Sequence, residues 1–267
     1  MDLGLRGKRA LVTGSSSGLG AGAVLELAAE GMKLVVHGRD ADRAEAVARE
    51  AAALGAEVLV ATGDLAKDED AARVAAAATE RFGGIDVLVN NAGAAINMNK
   101  ANWLDVSPDD WLDCYNLNVV AAVRMAQHLA PGMVERGWGR IINISSVAGS
   151  QMVGRLFDYG AAKAGLNSFT VNLSKELAPH GVTVNCIIPG KFMSPAAETW
   201  IKTMARQREW SGDFAEHERR YAKQPIARLG RAREMATAVA MLASPLSDYT
   251  TGAFLRIDGG AANTIGV

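Results

Sequence analysis

The stretch that decides the fold is RALVTGSSSGLGAGAVLELAAEG, which runs from Arg9 to Gly31. Its apolar beginning, Arg9–Thr13, predicts a strand, and its second half has the spacing of a helix that stops at Gly31. Between them lies the glycine-rich turn TGSSSGLG, Thr13–Gly20. Strand, glycine-rich turn and helix in this order are typical of a loop that binds a pyrophosphate at the helix N-terminus. A glycine turn without a ligand is the alternative.

The three glycines of the turn have different expected roles. Gly14 permits the tight turn, and Gly18 lets backbone N–H groups approach the pyrophosphate. Gly20 allows the helix to pack closely on the strand. The turn therefore predicts one half of a dinucleotide site.

The rest of the chain alternates short apolar runs with longer helical patterns. Further strands are predicted at Lys33–His37, Glu57–Ala61, Val87–Asn90, Arg140–Ile144, Thr183–Ile188 and Phe254–Ile257. Further helices are predicted at Ala41–Ala53, Asp68–Phe82, Pro108–Arg136, Phe157–Pro179 and Arg231–Ala243. This alternation implies right-handed crossovers and a doubly wound parallel sheet with helices on both faces. We expect a single α/β domain over residues 1–267.

The alternation breaks at residues 191–223, which predict one or two amphipathic helices and a substrate lid. Apolar residues in this segment and near the site suggest a roomy pocket, although helix packing or subunit contacts are an equal alternative. These residues are Trp200, Met204, Trp210, Phe214, Met152, Phe157, Phe192 and Met193. The polar loop Ala94–Ser107 also lies where a sheet of this kind flanks its ligand.

Composition excludes several classes of function. The 267 residues carry 28 basic and 29 acidic side chains and are 49% hydrophobic, which argues against nucleic acid or an anionic membrane as the main partner. No apolar run is long enough to span a membrane, and Met1–Ala10 does not resemble a signal peptide. Cys114 and Cys186 lack metal-ligand spacing and are expected to be reduced core thiols. We expect no metal and a cytoplasmic location.

The residues after the second strand indicate which nucleotide is used. The position that would carry an acid for the ribose of NAD is Gly38, and Arg39 follows it, as a 2′-phosphate would require. Ser15 and Ser16 would donate further hydrogen bonds to that phosphate. The pattern favours NADP(H) over NAD(H), although Asp40 could meet a ribose instead of capping the next helix.

A second constellation predicts acid–base chemistry. Tyr159 and Lys163 are four residues apart and would share one face of a helix, with Ser146 thirteen residues upstream of Tyr159. A free phenol has a pKa of about 10. A cation at ~4 Å in a dielectric of ~20 interacts by roughly 4 kcal/mol, enough to lower that pKa by up to ~3 units. We therefore expect Lys163 to make Tyr159 a usable acid and base.

Taken together, the motifs resemble those of the short-chain dehydrogenase/reductase family, and in particular 3-oxoacyl-acyl-carrier-protein reductases and related ketone reductases. The matching motifs, which span nearly the whole chain, are TGSSSGLG at Thr13–Gly20, Asp64, NNAG at Asn90–Gly93, Asn118, Ser146, YGAAK at Tyr159–Lys163, Pro189-Gly190 and DGG at Asp258–Gly260. The resemblance implies a Rossmann fold whose seven strands have the order 3-2-1-4-5-6-7.

The resemblance also implies roles at the reacting centre. Tyr159 would donate a proton to the carbonyl oxygen, which Ser146 would hold with a second hydrogen bond. Lys163 would also bind the nicotinamide ribose, and Asn118 would anchor a water that links Lys163 to solvent. Other residues implied to bind the cofactor are Gly14, Ser15, Ser16, Ser17, Gly18, Leu19, Gly20, Arg39, Asp64, Leu65, Asn91, Ala92, Gly93, Ile188, Pro189, Gly190 and Ser194. Among them, Asp64 would accept from the adenine amino group, and the backbone of Ile188 and the side chain of Ser194 would fix the carboxamide.

The expected function is NADP(H)-dependent reduction of a ketone, 3-oxoacyl or similar, to a secondary alcohol. An NAD-dependent sugar or steroid dehydrogenase is the second interpretation, and a cofactor-binding sensor without chemistry is the third. The partner is a small molecule. An acyl carrier would be helped by the basic residues Lys191, Lys202, Arg206 and Arg208, although solvated charge is the alternative for them. The resemblance further implies a homodimer or homotetramer built on the Tyr159 helix and the C-terminal strand.

Overall fold

The structure, a computed structural model, describes residues 1–100 and 102–263. Over these residues the strands are β1 (Arg9–Val12), β2 (Lys33–Gly38), β3 (Val58–Thr62), β4 (Val87–Asn90), β5 (Gly139–Ile144), β6 (Val182–Pro189) and β7 (Phe254–Ile257). They form one sheet in the order β3-β2-β1-β4-β5-β6-β7, in which every neighbouring pair is parallel. The predicted sheet and its strand order are confirmed.

Helices cover both faces of the sheet. They are α1 (Gly18–Ala29), α2 (Ala41–Ala53), α3 (Asp68–Phe82), α4 (Pro108–Tyr115), α5 (Ala121–Glu135), α6 (Phe157–Leu177), α7 (Pro195–Gln207), α8 (Phe214–Ala222) and α9 (Ala232–Ala243). One core lies between the sheet and α1, α2 and α9. The other lies between the sheet and α3, α5 and the end of α6. Because both faces are buried, the strands read as apolar runs rather than as alternating patterns.

The site is positioned where the chain turns in opposite directions from two neighbouring strands. β1 and β4 are neighbours in the sheet. The chain leaves β1 to form β2 on one side of this pair, and it leaves β4 to form β5 on the other side. The Thr13 hydroxyl connects the two loops, because its oxygen accepts hydrogen bonds from the N–H groups of Asn91 and Ala92, each at 2.9 Å. The crevice at such a switch point is the usual ligand site of an open parallel sheet.

The predicted single helix Pro108–Arg136 is wrong in its middle. Five residues, Asn116–Val120, form a π-helical turn between α4 and α5. The turn buries Asn118, whose side-chain amide donates to the carbonyls of Ala94 and Cys114, both at 2.9 Å. A wider turn of this kind is frequent at functional sites.

The segment 191–223 contains the two helices α7 and α8, as predicted. They enclose a small core of their own around Ile201, Ala222 and Leu229. The buried carboxylate of Glu218 holds α8 to the body of the domain, accepting from the N–H of Leu229 at 2.8 Å and from the guanidinium of Arg231 at 2.6 and 3.0 Å. No helix among the described residues is both long and apolar enough to cross a bilayer.

Candidate active site

The glycine-rich turn has the geometry that its sequence predicts. Gly14 has a φ of +62°, and a Cβ there would lie 2.9 Å from the Cα of Ala92. A Cβ on Gly20 would lie 2.5 Å from the side-chain nitrogen of Asn91, so only glycine fits between α1 and the loop after β4. A Cβ on Gly18 would meet no atom within 4 Å, which leaves the start of α1 open to a ligand.

A cavity of about 420 Å³ opens beside this turn, and we refer to it as the Arg39 cavity. Its lining residues are Gly14, Ser16, Ser17, His37, Gly38, Arg39, Asp40, Arg43, Gly63, Asp64, Leu65, Ala92, Gly93, Ala94 and Leu117. Eight of these residues, Gly14, Ser16, Ser17, Arg39, Asp64, Leu65, Ala92 and Gly93, were predicted from the sequence to bind a cofactor. The cavity therefore gathers the predicted nucleotide residues from four separate loops.

The charged residues of the Arg39 cavity suit a phosphate better than a bare ribose. Arg39 and Arg43 both line it, whereas the Asp40 carboxylate caps α2 and accepts from the N–H of Arg43 at 3.1 Å. A Cβ on Gly38 would lie 2.7 Å from the Ser16 hydroxyl, so an acidic side chain could not replace Gly38 without moving Ser16. The capping alternative for Asp40 is the one that the structure contains.

Ser15 does not reach the cavity, contrary to its predicted contact with a phosphate. Its side chain is fully buried, because its hydroxyl donates to the Val12 carbonyl at 2.7 Å and accepts from the His37 N–H at 3.0 Å. The hydroxyl is thus used inside the protein, and the sequence reading of its side chain is wrong.

A second cavity, of about 350 Å³, continues from the first, and we call it the Tyr159 cavity. It is lined by Gly14, Ser17, Leu19, Gly20, Asn91, Ala92, Gly93, Ile144, Ser145, Ser146, Tyr159, Lys163, Pro189 and Gly190. Gly14, Ser17, Ala92 and Gly93 line both cavities. Ser146, Tyr159 and Lys163 therefore share one space with the second half of the predicted cofactor residues.

Lys163 lies one helical turn after Tyr159, as the spacing predicts, but it is buried. Its Nζ donates to the Ile144 carbonyl at 2.9 Å and lies 5.6 Å from the centre of the Tyr159 ring. Burial lowers the pKa of Lys163 from 10.5 to about 8. The ammonium therefore titrates close to neutral pH rather than remaining charged at every accessible pH.

Tyr159 corrects the expectation about its acidity. Burial raises the pKa of the phenol above its ordinary value and outweighs a hydrogen bond with Ser146, which acts in the opposite direction. The prediction that Lys163 lowers this pKa is wrong for this structure, because the Lys163 ammonium donates to Ile144 and is itself destabilised by burial. At neutral pH the phenol is protonated and is a proton donor.

Ser146 and Ser145 have different environments. The Ser145 hydroxyl is buried and donates to the Lys163 carbonyl at 3.2 Å, so it belongs to the packing of α6. The Ser146 oxygen accepts from the N–H of Ala148 at 3.2 Å, and Ser146 is the hydrogen-bond partner of Tyr159. The structure thus places Ser146, and not its neighbour, beside the phenol.

Asn118 lies behind the same cavity. Its Oδ1 is buried and has no hydrogen-bond partner among the described protein atoms. A Cβ on Gly93 would lie 2.5 Å from this oxygen and 3.1 Å from the Nζ of Lys163, so Gly93 leaves space between the two polar groups. An unpaired buried acceptor next to a buried ammonium is a place that suits a water or a ligand hydroxyl.

The cofactor residues expected at and after the end of β6 are divided. Gly190 and Pro189 line the Tyr159 cavity, and a Cβ on Gly190 would lie 2.8 Å from the Cα of Asp258. Ile188 is fully buried within β6, and the Ser194 hydroxyl caps α7 by accepting from the Ala197 N–H at 3.1 Å. Neither of these last two residues lines the Tyr159 cavity.

A third cavity, of about 270 Å³, lies beside the start of α6, and we call it the Met152 cavity. Ala148, Gln151, Met152, Val153, Gly154, Leu156, Phe157 and Gly160 line it. Gln151 is the one residue with a polar side chain in this lining, so the cavity is mostly apolar. Trp200, Met204, Trp210 and Phe214 line none of the three cavities. Phe214 packs instead on the small core of the 191–223 segment, in agreement with the helix-packing alternative.

The four basic residues considered for an acyl carrier have different surroundings. Lys202 forms an ion pair with Glu198 at 2.5 Å, and the Nζ of Lys191 lies 5.0 Å from the centre of the Tyr221 ring. Arg206 and Arg208 are exposed on and after α7. These residues do not form a uniformly basic surface, because Glu198, Glu209 and Glu216 lie on the same segment.

The two cysteines are free and buried, as expected. Burial raises the pKa of each thiol to about 12, so neither is a nucleophile at neutral pH.

Sequence reasoning missed His37, Arg43 and Leu117 in the Arg39 cavity. Arg43 had a signal, since it lies four residues after Arg39 at the start of α2, and His37 had one as the ionisable residue that follows the apolar run Leu34–Val36. Leu117 had none.

With this geometry established, comparison with known proteins identifies the class. The family model described as short chain dehydrogenase matches residues 8–205. The chain belongs to the short-chain dehydrogenase/reductase family of oxidoreductases.

Individual relatives match over nearly the whole chain. The 3-oxoacyl-acyl-carrier-protein reductase of Vibrio cholerae is 34% identical over 97% of this chain and 98% of its own. The structure of L-sorbose reductase from Gluconobacter frateurii, complexed with NADPH and L-sorbose, superposes with a TM-score of 0.91 at 34% identity, over 99% of this chain and 100% of that one. A variant of actinorhodin polyketide ketoreductase with NADPH gives 0.87 at 33% identity, over 97% and 98%.

Proposed function

We propose that this protein is an NADP(H)-dependent reductase that converts a ketone into a secondary alcohol, with Tyr159 as the general acid. The observation that carries the proposal is the continuity of two cavities. One contains Arg39 and Arg43, and the other contains Ser146, Tyr159 and Lys163. The two relatives that were solved with NADPH support the choice of nucleotide.

The residues present fit the nucleotide. The glycine-rich turn is open at the start of α1, Arg39 and Arg43 suit a 2′-phosphate, and the unpaired Oδ1 of Asn118 lies next to the Nζ of Lys163. When bound, the reduced nicotinamide supplies the hydride that adds to the carbonyl carbon. The negative charge that develops on the carbonyl oxygen requires a proton and a second hydrogen bond.

The protein supplies both. The protonated phenol of Tyr159 gives its proton to the oxygen, and the Ser146 hydroxyl donates a hydrogen bond to it. The phenolate that remains is reprotonated through Lys163, whose pKa of about 8 makes it able to lose and regain a proton near neutrality. Asn118 holds the link between Lys163 and solvent. Because burial raises the Tyr159 pKa, the phenol at neutral pH holds the proton that reduction requires.

We propose that the substrate carries an apolar portion that enters the Met152 cavity and that residues 191–223 act as its lid. Met152 is 90% exposed and Phe157 is 36% exposed, so both offer apolar surface beside the start of the Tyr159 helix. A 3-oxoacyl compound has this chemistry: a ketone next to a polar carbonyl and an apolar chain. A sugar such as L-sorbose, the ligand of one relative, lacks the apolar chain.

The test is the variant Tyr159→Phe, with Tyr249→Phe as the control on a fully exposed tyrosine. Turnover is measured with NADPH and NADH on 3-oxoacyl thioesters, β-ketoesters, ketoses and steroid ketones. We expect kcat of Tyr159→Phe to fall by about 10²- to 10⁴-fold, the usual contribution of a general acid, and the dissociation constant of NADPH to stay within about twofold. Full activity of Tyr159→Phe would refute its role. Binding of NADPH without turnover of any ketone would favour the sensor interpretation.

We also propose a homo-oligomer. An apolar groove of about 460 Å³ between α5 and α6 is lined by Val123, Ala126, Gln127, Ala130, Pro131, Val134, Phe169, Leu173 and Leu177. A groove on the outer side of the Tyr159 helix supports the expected dimer or tetramer contact. A single-chain mass in light scattering would contradict this proposal.

A further inference from the structure

His37 is a histidine in an unusual position, at the end of the apolar strand β2 and inside the wall of the Arg39 cavity. It is 3% exposed, and both ring nitrogens have partners. The N–H of Gly14 donates to Nδ1 at 3.0 Å, and Nε2 lies 3.2 Å from the carbonyl oxygen of Gly63. A backbone N–H only donates and a carbonyl only accepts. The ring that satisfies both is the neutral form with its proton on Nε2.

The backbone of His37 is joined to the same glycine-rich turn. The Ser15 N–H donates to the His37 carbonyl at 2.7 Å, and the His37 N–H donates to the Ser15 hydroxyl at 3.0 Å. Of the hydrogen bonds described here between His37 and the glycine-rich turn, the bond from Gly14 to Nδ1 is the one that depends on the side chain at position 37. Through Nε2 the ring also fixes Gly63, the residue before Asp64. The ring thus connects two loops that both line the Arg39 cavity.

We propose that His37 is a positioning residue for the nucleotide: its neutral ring accepts from Gly14 and thereby holds the glycine-rich turn in the conformation that binds the cofactor. The inference rests on the proposed function, since it takes the Arg39 cavity as the nucleotide site. The Gly14 N–H is directed into the protein rather than towards a ligand, so it requires an acceptor there, and Nδ1 of His37 is that acceptor. A turn with a φ of +62° at Gly14 is conformationally free unless such bonds restrain it.

The charges around the ring decide how binding depends on pH. Burial lowers the pKa of His37 from 6.5 to about 4, and it outweighs the hydrogen bond to Gly63 and the carboxylates of Asp64 and Asp70, which raise it. Arg39, Asp40 and Arg43 are the other charged side chains that line the cavity. Protonation of Nδ1 would remove the acceptor for the Gly14 N–H. Nucleotide binding should therefore weaken as the pH falls towards 4.

Two substitutions separate the two ring nitrogens. His37→Asn places an amide oxygen where Nδ1 lies and can still accept from Gly14, but it cannot reach Gly63. His37→Gln places an amide nitrogen near Nε2 and can still donate to Gly63, but in that orientation it has no acceptor at the position of Nδ1 for the Gly14 N–H. The pair is matched in chemistry, so a difference between the two variants reports the Gly14 bond rather than a general loss of packing.

The experiment measures the dissociation constant of NADP⁺, which is stable in acid, for both variants and the wild type, with thermal unfolding as the check of folding. We expect His37→Asn to stay within about threefold of wild type and His37→Gln to bind about tenfold more weakly, the factor for one lost neutral hydrogen bond. The loss in His37→Gln should appear in the KM for NADPH more than in kcat, because His37 does not touch the reacting atoms. As the pH falls from 7 to 3.5, through the His37 pKa of about 4, the wild-type constant should rise relative to that of His37→Asn, a comparison that cancels titration of the ligand.

Nitrogen-15 spectra of the wild-type histidine side chains test the tautomer directly and do not require any variant to bind nucleotide. The His37 signal is assigned as the one that is missing in His37→Asn. An Nε2–H tautomer at neutral pH is expected. An Nδ1–H tautomer, an imidazolium, or equal NADP⁺ binding by His37→Asn and His37→Gln would overturn the inference. A wild-type protein that does not bind NADP⁺ would instead overturn the proposed function, so the two failures are distinguishable.

Discussion

Replacement of Lys163 by methionine should stabilise the protein while it removes its activity. The Lys163 side chain is buried, and its Nζ donates to the Ile144 carbonyl at 2.9 Å. Methionine has a similar length and no charge to desolvate. If Lys163 acts as proposed, it is a residue at which folding and function make opposite demands.

The magnitude follows from the pKa of Lys163, which is about 8 in the folded protein against an ordinary value of 10.5. A difference of about 2.5 units corresponds to about 3 kcal/mol, the cost of burying the ammonium at pH 7. Loss of the hydrogen bond to Ile144 takes back roughly 1 kcal/mol. We therefore expect Lys163→Met to raise the free energy of unfolding by about 2 kcal/mol at pH 7, and Tm by roughly 4–8 °C.

The direction of the Lys163 pKa shift also predicts how the stability difference between Lys163→Met and wild type changes with pH. Because the folded pKa is lower than the unfolded one, the unfolded chain binds an additional proton between pH 8 and 10.5, and wild-type stability rises across that window. The advantage of Lys163→Met should accordingly shrink from pH 8 upwards, and above pH 10.5 the variant should be less stable than wild type by roughly the 1 kcal/mol of the lost hydrogen bond.

The assay is guanidinium chloride unfolding of wild type and variant at pH 7, 9 and 10.5, followed by tryptophan fluorescence. Lys175→Met is the matched control, since Lys175 is an exposed lysine on the same helix and its loss should change stability by less than about 0.5 kcal/mol. A Lys163→Met protein that is less stable than wild type at pH 7 would refute the reasoning. So would a difference that is the same at every pH.

Two further predictions concern the cofactor and the proton link. Arg39→Asp should lower kcat/KM for NADPH relative to NADH by about 10- to 100-fold, the worth of one hydrogen bond to a charged group; an unchanged ratio in steady-state assays with both nucleotides would contradict the role of Arg39. Gly93→Ala should lower kcat by about 10²-fold, a typical loss for disturbed proton transfer, because its Cβ would lie 2.5 Å from the Oδ1 of Asn118 and 3.1 Å from the Nζ of Lys163. Stopped-flow turnover checks this, and wild-type kcat in Gly93→Ala would show that the space between these groups is not used.

Most of the fold could be predicted because its signals are local. Glycines mark the tight turn, and apolar runs alternate with helical patterns of a length that a parallel sheet requires. The helices Ala41–Ala53 and Asp68–Phe82 were predicted to the residue. The π-helical turn Asn116–Val120 could not be predicted, because NLNVV continues the helical pattern on both sides. Its extra residue is stabilised by contacts that are distant in sequence or buried, such as the one between Asn118 and Ala94.

The sequence predicted many of the residues that line the two cavities, but not their electrostatics. Spacing fixed that Tyr159 and Lys163 share one face of α6, yet spacing carries no information about burial. Burial reverses the expected direction of the Tyr159 pKa and brings that of Lys163 down to about 8. For the same reason the sequence could not show that the Ser15 hydroxyl is used inside the fold, since a serine in a loop reads as a donor in either case.

The polar groups that the proposed mechanism uses are costly to the fold, and they are costly in one place. The Lys163 ammonium has lost most of its water, and the Asn118 Oδ1 is buried with no partner among the described protein atoms. Both face the space beside Gly93, where one hydroxyl could accept from Lys163 and donate to Asn118. A ribose hydroxyl or a water at this point would satisfy both groups at once, so ligand binding recovers free energy that folding alone does not. The stabilisation expected from Lys163→Met and the catalysis expected from Lys163 thus have the same origin, a charge that the folded protein holds away from solvent.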